Sequence, residues 1–423
     1  MKMTTNNIPQ GKVTPLGIIP NEWEILQLKK LGEIYSGGTP NTNEPNYWNG
    51  NILWCTPSDI TKLKTRFIGD TNQRITPLGL KNSSATLLPP GSILVCTRAT
   101  IGNAAITIKE TSTNQGFKNI KPIKGINVDW LFYYITLNKH RIVQLGVGST
   151  FLEVSKKDFE NFKIIVPPFP EQQKIAEVLS TWDKAIEKQS QLIEKLELRK
   201  KGLMQQLLTG KKRLPGFNIP WKKIKLGEMG NTYNGLSGKN KDDFEQGNAK
   251  FIPYINVFSN EKIDVNNLQC VKINPEDQQN MVKYGDIFFT VSSETPDEVG
   301  MASVLLEHLD NTYLNSFCFG YRLKDFSTLS PFFAAYLFRT EHFRHYMNIL
   351  AQGSTRFNLS KKEVMKLRIN IPVIKEQITI YKVLNTADRE IELAQQKLDI
   401  LRQQKHGLMQ QLLTGKKRVK YEN

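Results

Sequence analysis

The sequence predicts an α+β fold: two α/β blocks with mainly antiparallel sheets, joined by two long antiparallel helices that form a coiled-coil rod with pseudo-two-fold symmetry. Three observations predict it. Residues 202–213 recur without change as residues 407–418, which lie 205 residues later. Apolar residues recur at alternating spacings of four and three before each copy. Each preceding block consists of short β-type runs broken by Gly, Pro and Asn. A repeat with so long a period decides the architecture before any local motif does.

The repeat extends upstream of the identical segments, but its offset changes. The matching segments at the 205-residue offset include Glu171-Gln172 with Glu376-Gln377 and Gly148-Ser149-Thr150 with Gly353-Ser354-Thr355. At the front of each half, Leu31-Gly32-Glu33 corresponds to Leu226-Gly227-Glu228, an offset of 195, and Trp23 corresponds to Trp221. The second block is therefore expected to be ten residues longer than the first. The ends of the two halves are similar in sequence and their middle parts differ, as expected if the two middle parts bind different ligands on one scaffold.

The repeat divides the chain into four predicted segments. They are a first variable block at residues 1–170, a conserved long helix at 171–213 that serves as a central spacer, a second variable block at 214–375, and a second conserved long helix at 376–423 that pairs with the first.

Residues 171–208 are expected to form one helix of about 57 Å, at 1.5 Å per residue. Its apolar spacing, like that of its copy, is a heptad seam, which predicts packing along the length of another helix. The partner is expected to be the copy, antiparallel because the second helix can return along the first. The predicted helix–helix and subunit interface consists of Ile175, Leu179, Trp182, Ile186, Ile193, Leu196, Leu203, Leu207, Ile380, Leu384, Ile391, Leu398, Leu401, Leu408 and Leu412.

Two lysines and two basic clusters occupy repeated positions on these helices. Lys200 and Lys405 fall at the same seam position, where each can fix the register or extend outward at the edge of the seam. The basic clusters 211–213 and 416–418 follow the helix ends and suit the negative end of a helix dipole. They can be solvated or can contact phosphate.

Each variable block is predicted to contain a turn, a buried strand and a polar tip at equivalent places. The strands are expected at residues 92–97 and 286–291, followed by helices at residues 128–138 and 329–347. The polar tips are Arg98-Ala99-Thr100 in the first block and Ser292-Ser293-Glu294 in the second.

The net charge of +17 indicates a polyanionic partner, most simply nucleic acid. Residues 1–170 contribute most, with 19 basic and 11 acidic residues. Side chains of Arg, Lys and Asn can pair with base edges, although most basic residues on such a surface contact phosphate. The candidate DNA-binding residues are Ser36, Gly37, Gly38, Thr39, Lys62, Lys64, Arg66, Arg74, Arg98, Asn234, Ser237, Lys239, Lys241, Asn256, Ser292, Ser293 and Arg356.

The cysteines and the apolar pattern predict whether the chain binds a metal and where in the cell it lies. Cys55, Cys96, Cys270 and Cys318 form no CxxC pair and sit among β-type neighbours, so we expect buried free thiols and no bound metal. No segment approaches 18 apolar residues, and residues 1–7 contain no apolar core of a signal peptide. A cytoplasmic protein without membrane contact is expected.

No catalytic constellation is recognisable in the sequence. There is no GxxxxGK[ST] loop and no HExxH motif. The box Val166-Pro167-Pro168-Phe169 resembles the catalytic box of amino-methyltransferases but lacks the Asn or Asp that would hold the target amine. His342 and His345 share a helix face without a carboxylate to complete a site. Neither a catalytic residue nor a metal site is therefore predicted.

The duplicated layout resembles the specificity (S) subunit of type I restriction–modification systems. The residues that carry the resemblance are Leu31-Gly32-Glu33, Ser36-Gly37-Gly38-Thr39-Pro40, Trp54-Cys55-Thr56-Pro57-Ser58-Asp59, residues 167–176 and the two copies at 202–213 and 407–418. The second copy departs mildly, with Lys375-Glu376-Gln377-Ile378 standing where Pro170-Glu171-Gln172-Gln173 stands in the first. The resemblance covers nearly the whole chain.

The resemblance implies that each block reads one half of an asymmetric, bipartite sequence in double-stranded DNA, and that the helices set the spacing between the halves. It also implies partners: two modification (methyltransferase) subunits, which methylate adenine, and two restriction (translocase/nuclease) subunits. S-adenosylmethionine, ATP and Mg are then expected on those partners, and no cofactor is expected on this chain.

Two alternatives remain open at this point. The chain could be a self-contained methyltransferase or nuclease with a diverged site, or an assembly protein whose helices join subunits without reading DNA. Methyl transfer by the chain alone would support the first alternative. Sequence preference that survives replacement of residues 32–148 would support the second.

Overall fold

The chain divides into two compact units, each holding one variable block and parts of both long helices. Residues 1–192 and 394–423 form the first unit, and residues 193–393 form the second. The computed structural model describes residues 11–148, 152–244 and 246–420. The repeated residues Ser149 and Thr150, and the start of the chain, lie outside this described part.

The two long helices are Phe169–Leu207 and Ile374–Leu412, of 39 residues each. The predicted helix at residues 171–208 is thus found within two residues of its expected ends. Both helices are followed by a repeated glycine with a left-handed backbone, Gly210 with φ +71° and Gly415 with φ +76°. Glycine adopts this conformation without steric cost, and it is a common way to end a helix. This explains one glycine of the duplicated segment.

The first block is built on a five-stranded sheet whose neighbouring pairs are antiparallel, apart from one parallel pair at its edge. The strand order in this sheet is Gly32–Ser36, Phe117–Pro122, Ile93–Cys96, Ala104–Thr107 and Phe67–Ile68. Smaller sheets join Thr111–Thr113, Trp48–Cys55 and Gln73–Ile75; Glu24–Gln27 and Lys163–Val166; and Gly11–Thr14 and Gly17–Pro20. The block's helices are Leu28–Lys30, Pro45–Tyr47, Pro57–Thr61, Pro77–Lys81, Val128–Leu137, Lys139–Val143 and Lys156–Glu160.

The second block repeats this plan with a four-stranded antiparallel sheet. The strand order is Gly230–Asn234, Cys318–Leu323, Ile287–Thr290 and Ala302–Val304. Smaller sheets join Gln269–Val271, Ala249–Ile252 and Thr312–Leu314; Lys222–Lys225 and Arg368–Ile371; and Ser292–Ser293 and Phe357–Asn358. The block's helices are Leu226–Met229, Lys241–Phe244, Tyr254–Ser259, Pro296–Glu298, Pro331–Leu337, Glu341–Leu350 and Lys361–Lys366.

The central strand of each sheet is buried on both faces. In the first block, Ile93 and Val95 pack into the core that reaches the long helices, whereas Leu94 and Cys96 pack into a second core on the opposite face. Successive side chains of a strand point to opposite faces, so a strand buried on both sides is a continuous apolar run. The predicted strands at residues 92–97 and 286–291 are found as Ile93–Cys96 and Ile287–Thr290.

The structure corrects the offset at the front of the repeat. The strand Glu24–Gln27 pairs with Lys163–Val166 just as Lys222–Lys225 pairs with Arg368–Ile371. The equivalent positions are therefore 198 residues apart, which also matches Trp23 with Trp221. The expected match of Leu31-Gly32-Glu33 with Leu226-Gly227-Glu228 is therefore wrong by three residues. The true equivalent of Leu226 is Leu28, because their amides donate to the equivalent carbonyls of Leu367 and Phe162. The second block is seven residues longer than the first, and not ten.

Two further expectations are corrected. The helix expected at residues 329–347 is two helices, Pro331–Leu337 and Glu341–Leu350, since the Thr340 hydroxyl accepts a hydrogen bond from the Phe343 amide and starts the second. Cys55, Cys96 and Cys318 are buried as expected, but Cys270 is exposed. Cys270 precedes Val271, which is buried in the core, on the edge strand Gln269–Val271. Successive side chains of a strand point to opposite faces, so the Cys270 side chain points away from the core that Val271 enters.

In each unit, one long helix contacts the other long helix and the segment that follows that other helix, and these contacts are antiparallel. In the first unit, the side-chain amide of Gln189 donates to the Ala394 carbonyl at 2.8 Å, and Arg418 binds Glu171 through two hydrogen bonds of 2.6 and 2.8 Å. Since the residue number rises on one segment as it falls on the other, the segments run antiparallel, as predicted.

A buried carboxylate at the start of each long helix anchors these contacts. Glu171 is completely buried and accepts hydrogen bonds from Arg418 and from the indole of Trp23 at 2.9 Å. In the second unit Glu376, also completely buried, binds Arg213 at 2.6 and 2.7 Å. These pairs explain why the last arginine of each basic cluster is repeated, and they show that both arginines are engaged inside the fold.

The predicted interface residues of the helices are all buried or half-buried. Among the described residues, no helix is both long enough and apolar enough to cross a membrane.

Replacing Arg418 with Met should lower the free energy of unfolding by about 3 kcal/mol, because it leaves the Glu171 carboxylate buried without its ion partner. Thermal and denaturant unfolding would measure the loss. Lys416→Met removes an exposed charge two residues away and is expected to have little effect. Adding Glu171→Met to Arg418→Met should recover part of the stability, since a buried ion pair is commonly replaceable by apolar groups. Equal stability of the wild type and Arg418→Met would contradict this role.

Candidate nucleic-acid interface

Loops from distant parts of the first block meet at one end of its main sheet. The Thr97 amide donates to the Gly116 carbonyl at 2.7 Å, and the Val154 amide donates to the Thr97 carbonyl at 3.1 Å. The Gly38 amide donates to the Thr113 carbonyl at 2.9 Å. We call the segments 36–39, 56–58, 97–100, 113–116 and 153–154 the first loop cluster.

The second block brings equivalent loops together by the same bonds. The Val291 amide donates to the Phe317 carbonyl at 3.0 Å, and the Leu359 amide donates to the Val291 carbonyl at 2.9 Å. The Leu236 amide donates to the Leu314 carbonyl at 2.7 Å, as the Gly38 amide does to the Thr113 carbonyl. In addition, the Tyr254 hydroxyl donates to the Ser292 carbonyl at 3.4 Å. The segments 234–237, 254–255, 291–293, 315–317 and 356–361 form the second loop cluster. The two clusters have the same frame and different side chains.

The motif Ser36-Gly37-Gly38-Thr39 belongs to the frame of the first loop cluster. Both glycines are buried, and a Cβ atom on Gly37 would lie 1.8 Å from the Asn114 carbonyl oxygen. The indole of Trp54 donates to the Gly38 carbonyl at 2.9 Å. The glycines therefore permit close loop packing, whereas Ser36 and Thr39 are half-buried and reach the surface.

Arg98 is the exposed cation of the first loop cluster. Its side chain is 44% exposed and binds Glu153 at 2.6 Å. The next residue, Ala99, has φ +56°, a left-handed conformation that non-glycine residues adopt rarely. Lys118 lies behind the pair, 3.7 Å from Glu153, and burial lowers its pKa. The bond to Arg98 lowers the pKa of Glu153, so the carboxylate stays ionised and holds the guanidinium in place.

The other predicted cations of the first block lie elsewhere. Arg66 is 14% exposed and is bound by Asp129 and Asp183 inside the first unit, which favours a structural role. Arg74 forms an exposed ion pair with Asp70 at 2.9 Å. Lys62 and Lys64 are exposed beyond the short helix Pro57–Thr61. The structure thus brings Arg98 together with Ser36 and Thr39, and it does not bring in the other four.

Four of the candidates in the second block are accessible in the second loop cluster. Arg356, Asn234 and Ser237 are exposed, and Ser292 is half-buried. The Ser237 amide donates to the side-chain oxygen of Gln279 at 3.1 Å. The side-chain oxygen of Asn234 accepts a hydrogen bond from Lys361. Ser293 belongs to the same cluster but is buried and donates to Glu298 at 2.8 Å, so its hydroxyl is engaged.

The remaining candidates of the second block lie outside the cluster or inside the fold. Lys239 pairs with Asp277 and has a side chain that is 5% exposed. Asn256 is completely buried, and its amide donates to the carbonyls of Asp264 and Asn267, which favours a structural role. Lys241 is exposed outside the cluster.

Several residues that the sequence analysis did not single out lie in the clusters. Gln115 in the first cluster is exposed and accepts a hydrogen bond from Thr39. In the second cluster Phe317 is 58% exposed, and Tyr254 and Lys361 lie nearby. Exposed aromatic rings are suited to stacking or apolar contact with bases. Their position in the sequence could have identified them: Gln115 lies two residues before the buried strand Phe117–Pro122, and Phe317 directly precedes the strand Cys318–Leu323.

The second unit also contains a cleft of about 910 Å³ at the end of the first long helix, where Lys201, Trp221, Glu341 and Arg368 line it. It shares no lining residue with the second loop cluster. No group of three or more His, Cys, Asp or Glu suited to a metal ion occurs in the part of the chain that the structure describes.

Comparison with known families matches two regions of this chain. The model of the type I restriction modification DNA specificity domain matches residues 20–198 and again residues 218–403. The MjaIX specificity subunit of Methanocaldococcus jannaschii is 37% identical over 193 residues, which covers 44% of each chain. The MjaVIII specificity subunit of the same organism is 24% identical over 432 residues, which covers 96% of this chain and 95% of that one.

Solved structures show the same fold along nearly the full length. The type I restriction–modification S subunit from M. genitalium superimposes with a TM-score of 0.52 at 16% identity, over 94% of this chain and 98% of that one. A chain from a structure of type I system assembly and conformational transition superimposes with a TM-score of 0.63 at 18% identity, over 94% and 99%.

If the first loop cluster contacts DNA, Arg98→Ala should weaken DNA binding by the full chain. A lost phosphate contact lowers the slope of log affinity against log salt by about 1, whereas a lost base contact costs about 1–3 kcal/mol of sequence discrimination. Titrations of specific and scrambled duplexes at several salt concentrations would separate the two. Lys174→Ala removes one charge from an exposed site on the first long helix and serves as the matched control. If both variants bind equally well, Arg98 is not part of the interface.

Proposed function

This chain belongs to the family of type I restriction modification DNA specificity domains, and we propose that it is a specificity subunit that reads an asymmetric, bipartite sequence in double-stranded DNA. Each variable block reads one half of the target through its loop cluster. The observation that carries the proposal is the pair of loop clusters, held by equivalent backbone bonds and lined by different side chains.

The chemistry of the two clusters supports separate half-sites. The first cluster presents Arg98 with Ser36, Thr39 and Gln115, a set of hydrogen-bonding groups around one cation. The second presents Arg356, Asn234 and the exposed ring of Phe317. Arginine suits guanine edges, and asparagine or glutamine suits adenine edges. Two different sets on one repeated frame favour two different half-sites and hence an asymmetric target.

We further propose that the chain has no catalysis of its own and acts as a scaffold for two modification and two restriction subunits. The amino-methyltransferase-like box Val166–Phe169 supports no enzymatic role, because Val166 is the last residue of a strand and the box leads directly into the first long helix. S-adenosylmethionine, ATP and Mg would then be bound by the partners.

Exposed apolar residues on the long helices support the scaffolding role. Leu192 and Ile400 are 46% and 52% exposed in the first unit, and Leu198 and Leu393 are 71% and 55% exposed in the second. Exposed leucines on a helix that already buries its seam are suited to contact with a helix of another subunit.

Exchanging the first block for that of another family member should change one half-site and leave the other intact. The exchanged segment should run from residue 32 to residue 154, because Arg98 is held by Glu153. Mapping methylated adenines in cells that carry the complete system would reveal both halves. A matched exchange of the second block, residues 230–359, should change the other half. If either exchange alters both halves of the target, the proposal that each block recognises one half is wrong.

Inserting one heptad into each long helix, after residues 192 and 393, should lengthen the unspecified spacer by about three base pairs and preserve both half-sites. Seven residues add about 10.5 Å of helix, and one base pair occupies about 3.4 Å. These insertion points leave the contacts within each unit in register. Replacement of seven exposed helix residues without a change of length is the control. An unchanged spacer in the inserted protein would rule out the helices as the ruler.

A further inference from the structure

Each unit contains a tyrosine, an aspartate and a lysine in contact with one another at equivalent positions of the repeat. The first group is Tyr133, Asp183 and Lys405, and the second is Tyr336, Asp388 and Lys200. The aspartates lie 205 residues apart, as do the lysines. We call the two groups the first and second seating sites.

In the first seating site, Asp183 is the shared acceptor. The Tyr133 hydroxyl donates to it at 2.5 Å, and the Lys405 ammonium binds its other oxygen at 2.5 Å. The Lys405 ammonium also lies over the Tyr133 ring, 4.9 Å from its centroid. Burial raises the pKa of Tyr133, so the hydroxyl remains protonated and donates.

The second seating site has the same geometry. The Tyr336 hydroxyl donates to Asp388, and the Lys200 ammonium binds the other Asp388 oxygen at 2.7 Å. Burial alone would lower the pKa of Lys200, but Glu261 and Asp388 outweigh it and raise the pKa. Burial raises the pKa of Tyr336.

Each seating site ties three segments of the chain to one point, and the long helices exchange roles between the sites. In the first site the block supplies Tyr133, the first long helix supplies Asp183 and the second supplies Lys405. In the second site the first long helix supplies the lysine and the second supplies the aspartate. The side chains of Lys200 and Lys405 are 18% and 17% exposed, so neither extends outward at the edge of the seam.

Each variable block adds charged side chains to its seating site, and the two sets differ. In the first site, Arg66 binds Asp183 at 3.0 Å. In the second site, Glu261 binds Lys200 at 3.0 Å, and Lys262 donates to the Tyr336 hydroxyl at 3.1 Å and lies 3.6 Å from Asp388. Arg66 and Glu261 are equivalent, because their carbonyls accept hydrogen bonds from the matching amides of Ile106 and Val304. An aspartate–lysine pair offers both signs, so a block can bind it through a cation alone, as in the first site, or through an anion and a cation, as in the second.

We propose that the two seating sites are the positioning devices of the protein: each fixes the orientation of one variable block on the long helices, and so controls recognition of one half of the DNA target. The inference rests on the proposed function. The residues involved are positioning residues, because they act through the loop clusters and lie outside them.

The test uses the full chain assembled with its modification subunits and duplexes in which one half-site or the other is scrambled. In the first variant, Asp183→Asn with Lys405→Met, scrambling the first half-site should cost about tenfold less affinity than in the wild type. Scrambling the second half should cost as much as before. The variant Asp388→Asn with Lys200→Met should show the reverse pattern.

Controls separate positioning from a general loss of folding. Lys405→Arg alone keeps the charge opposite Asp183 and should retain discrimination of the first half. Lys174→Met, at an exposed ion pair of the first long helix, should change neither half. Thermal unfolding of each variant reports loss of structure. If a variant remains folded and either loses both half-sites equally or loses neither, the seating proposal is overturned. If the wild type itself discriminates neither half-site, the proposed function fails instead.

A second variant tests whether the first seating site accepts the side-chain set of the second. Arg66→Glu should weaken discrimination of the first half, because the new carboxylate faces Asp129 and Asp183. Phe67 follows Arg66 as Lys262 follows Glu261, and Asp129 lies four residues before Tyr133 as Phe332 lies four residues before Tyr336. Adding Phe67→Lys and Asp129→Phe therefore copies the second set and should restore discrimination. A triple variant as impaired as Arg66→Glu alone would contradict the idea that the two sets are interchangeable.

Discussion

The antiparallel register within each unit depends on carboxylates that are taken out of water and paired with cations from the other helix or from the segment that follows it. Glu171 and Glu376 are completely buried, and a buried carboxylate without its arginine would be costly. Asp183 and Asp388 repeat the arrangement further along, with Lys405 and Lys200. A one-residue slip would separate all of these partners at once, whereas apolar contacts alone would tolerate it better. The repeated charged pairs therefore select one register of the two long helices, whereas the heptad seam alone is compatible with more than one.

A fixed frame leaves the loops free to vary. In both blocks the strands end at the same place, and the same backbone hydrogen bonds hold the loop tips together. Backbone bonds place no demand on side chains, so the loop tips can carry Arg98 in one block and Phe317 or Arg356 in the other. Recognition of different sequences by one protein family requires this separation between a constant frame and variable contacts. The two blocks of this chain show it within a single molecule.

Sequence reasoning succeeded where the signal was local. The heptad spacing located the long helices, and apolar runs located the strands Ile93–Cys96 and Ile287–Thr290. It failed where a partner far along the chain decides the outcome. Arg66 was taken for a surface cation, but its partner Asp183 lies 117 residues away. Asn256 was predicted as a candidate DNA-binding residue, but the fold buries it completely. The offset at the front of the repeat was wrong because an identity of three residues, Leu-Gly-Glu, is weaker evidence of equivalence than the matching strand pairs of the two blocks.

The central claim is that one chain reads two separate DNA half-sites on one repeated frame. Mapping methylated adenines across the genome of cells that carry the complete system tests it most directly. The account predicts one motif with two different specified halves, separated by a constant number of unspecified base pairs. A single continuous motif, or two halves at variable spacing, would contradict it.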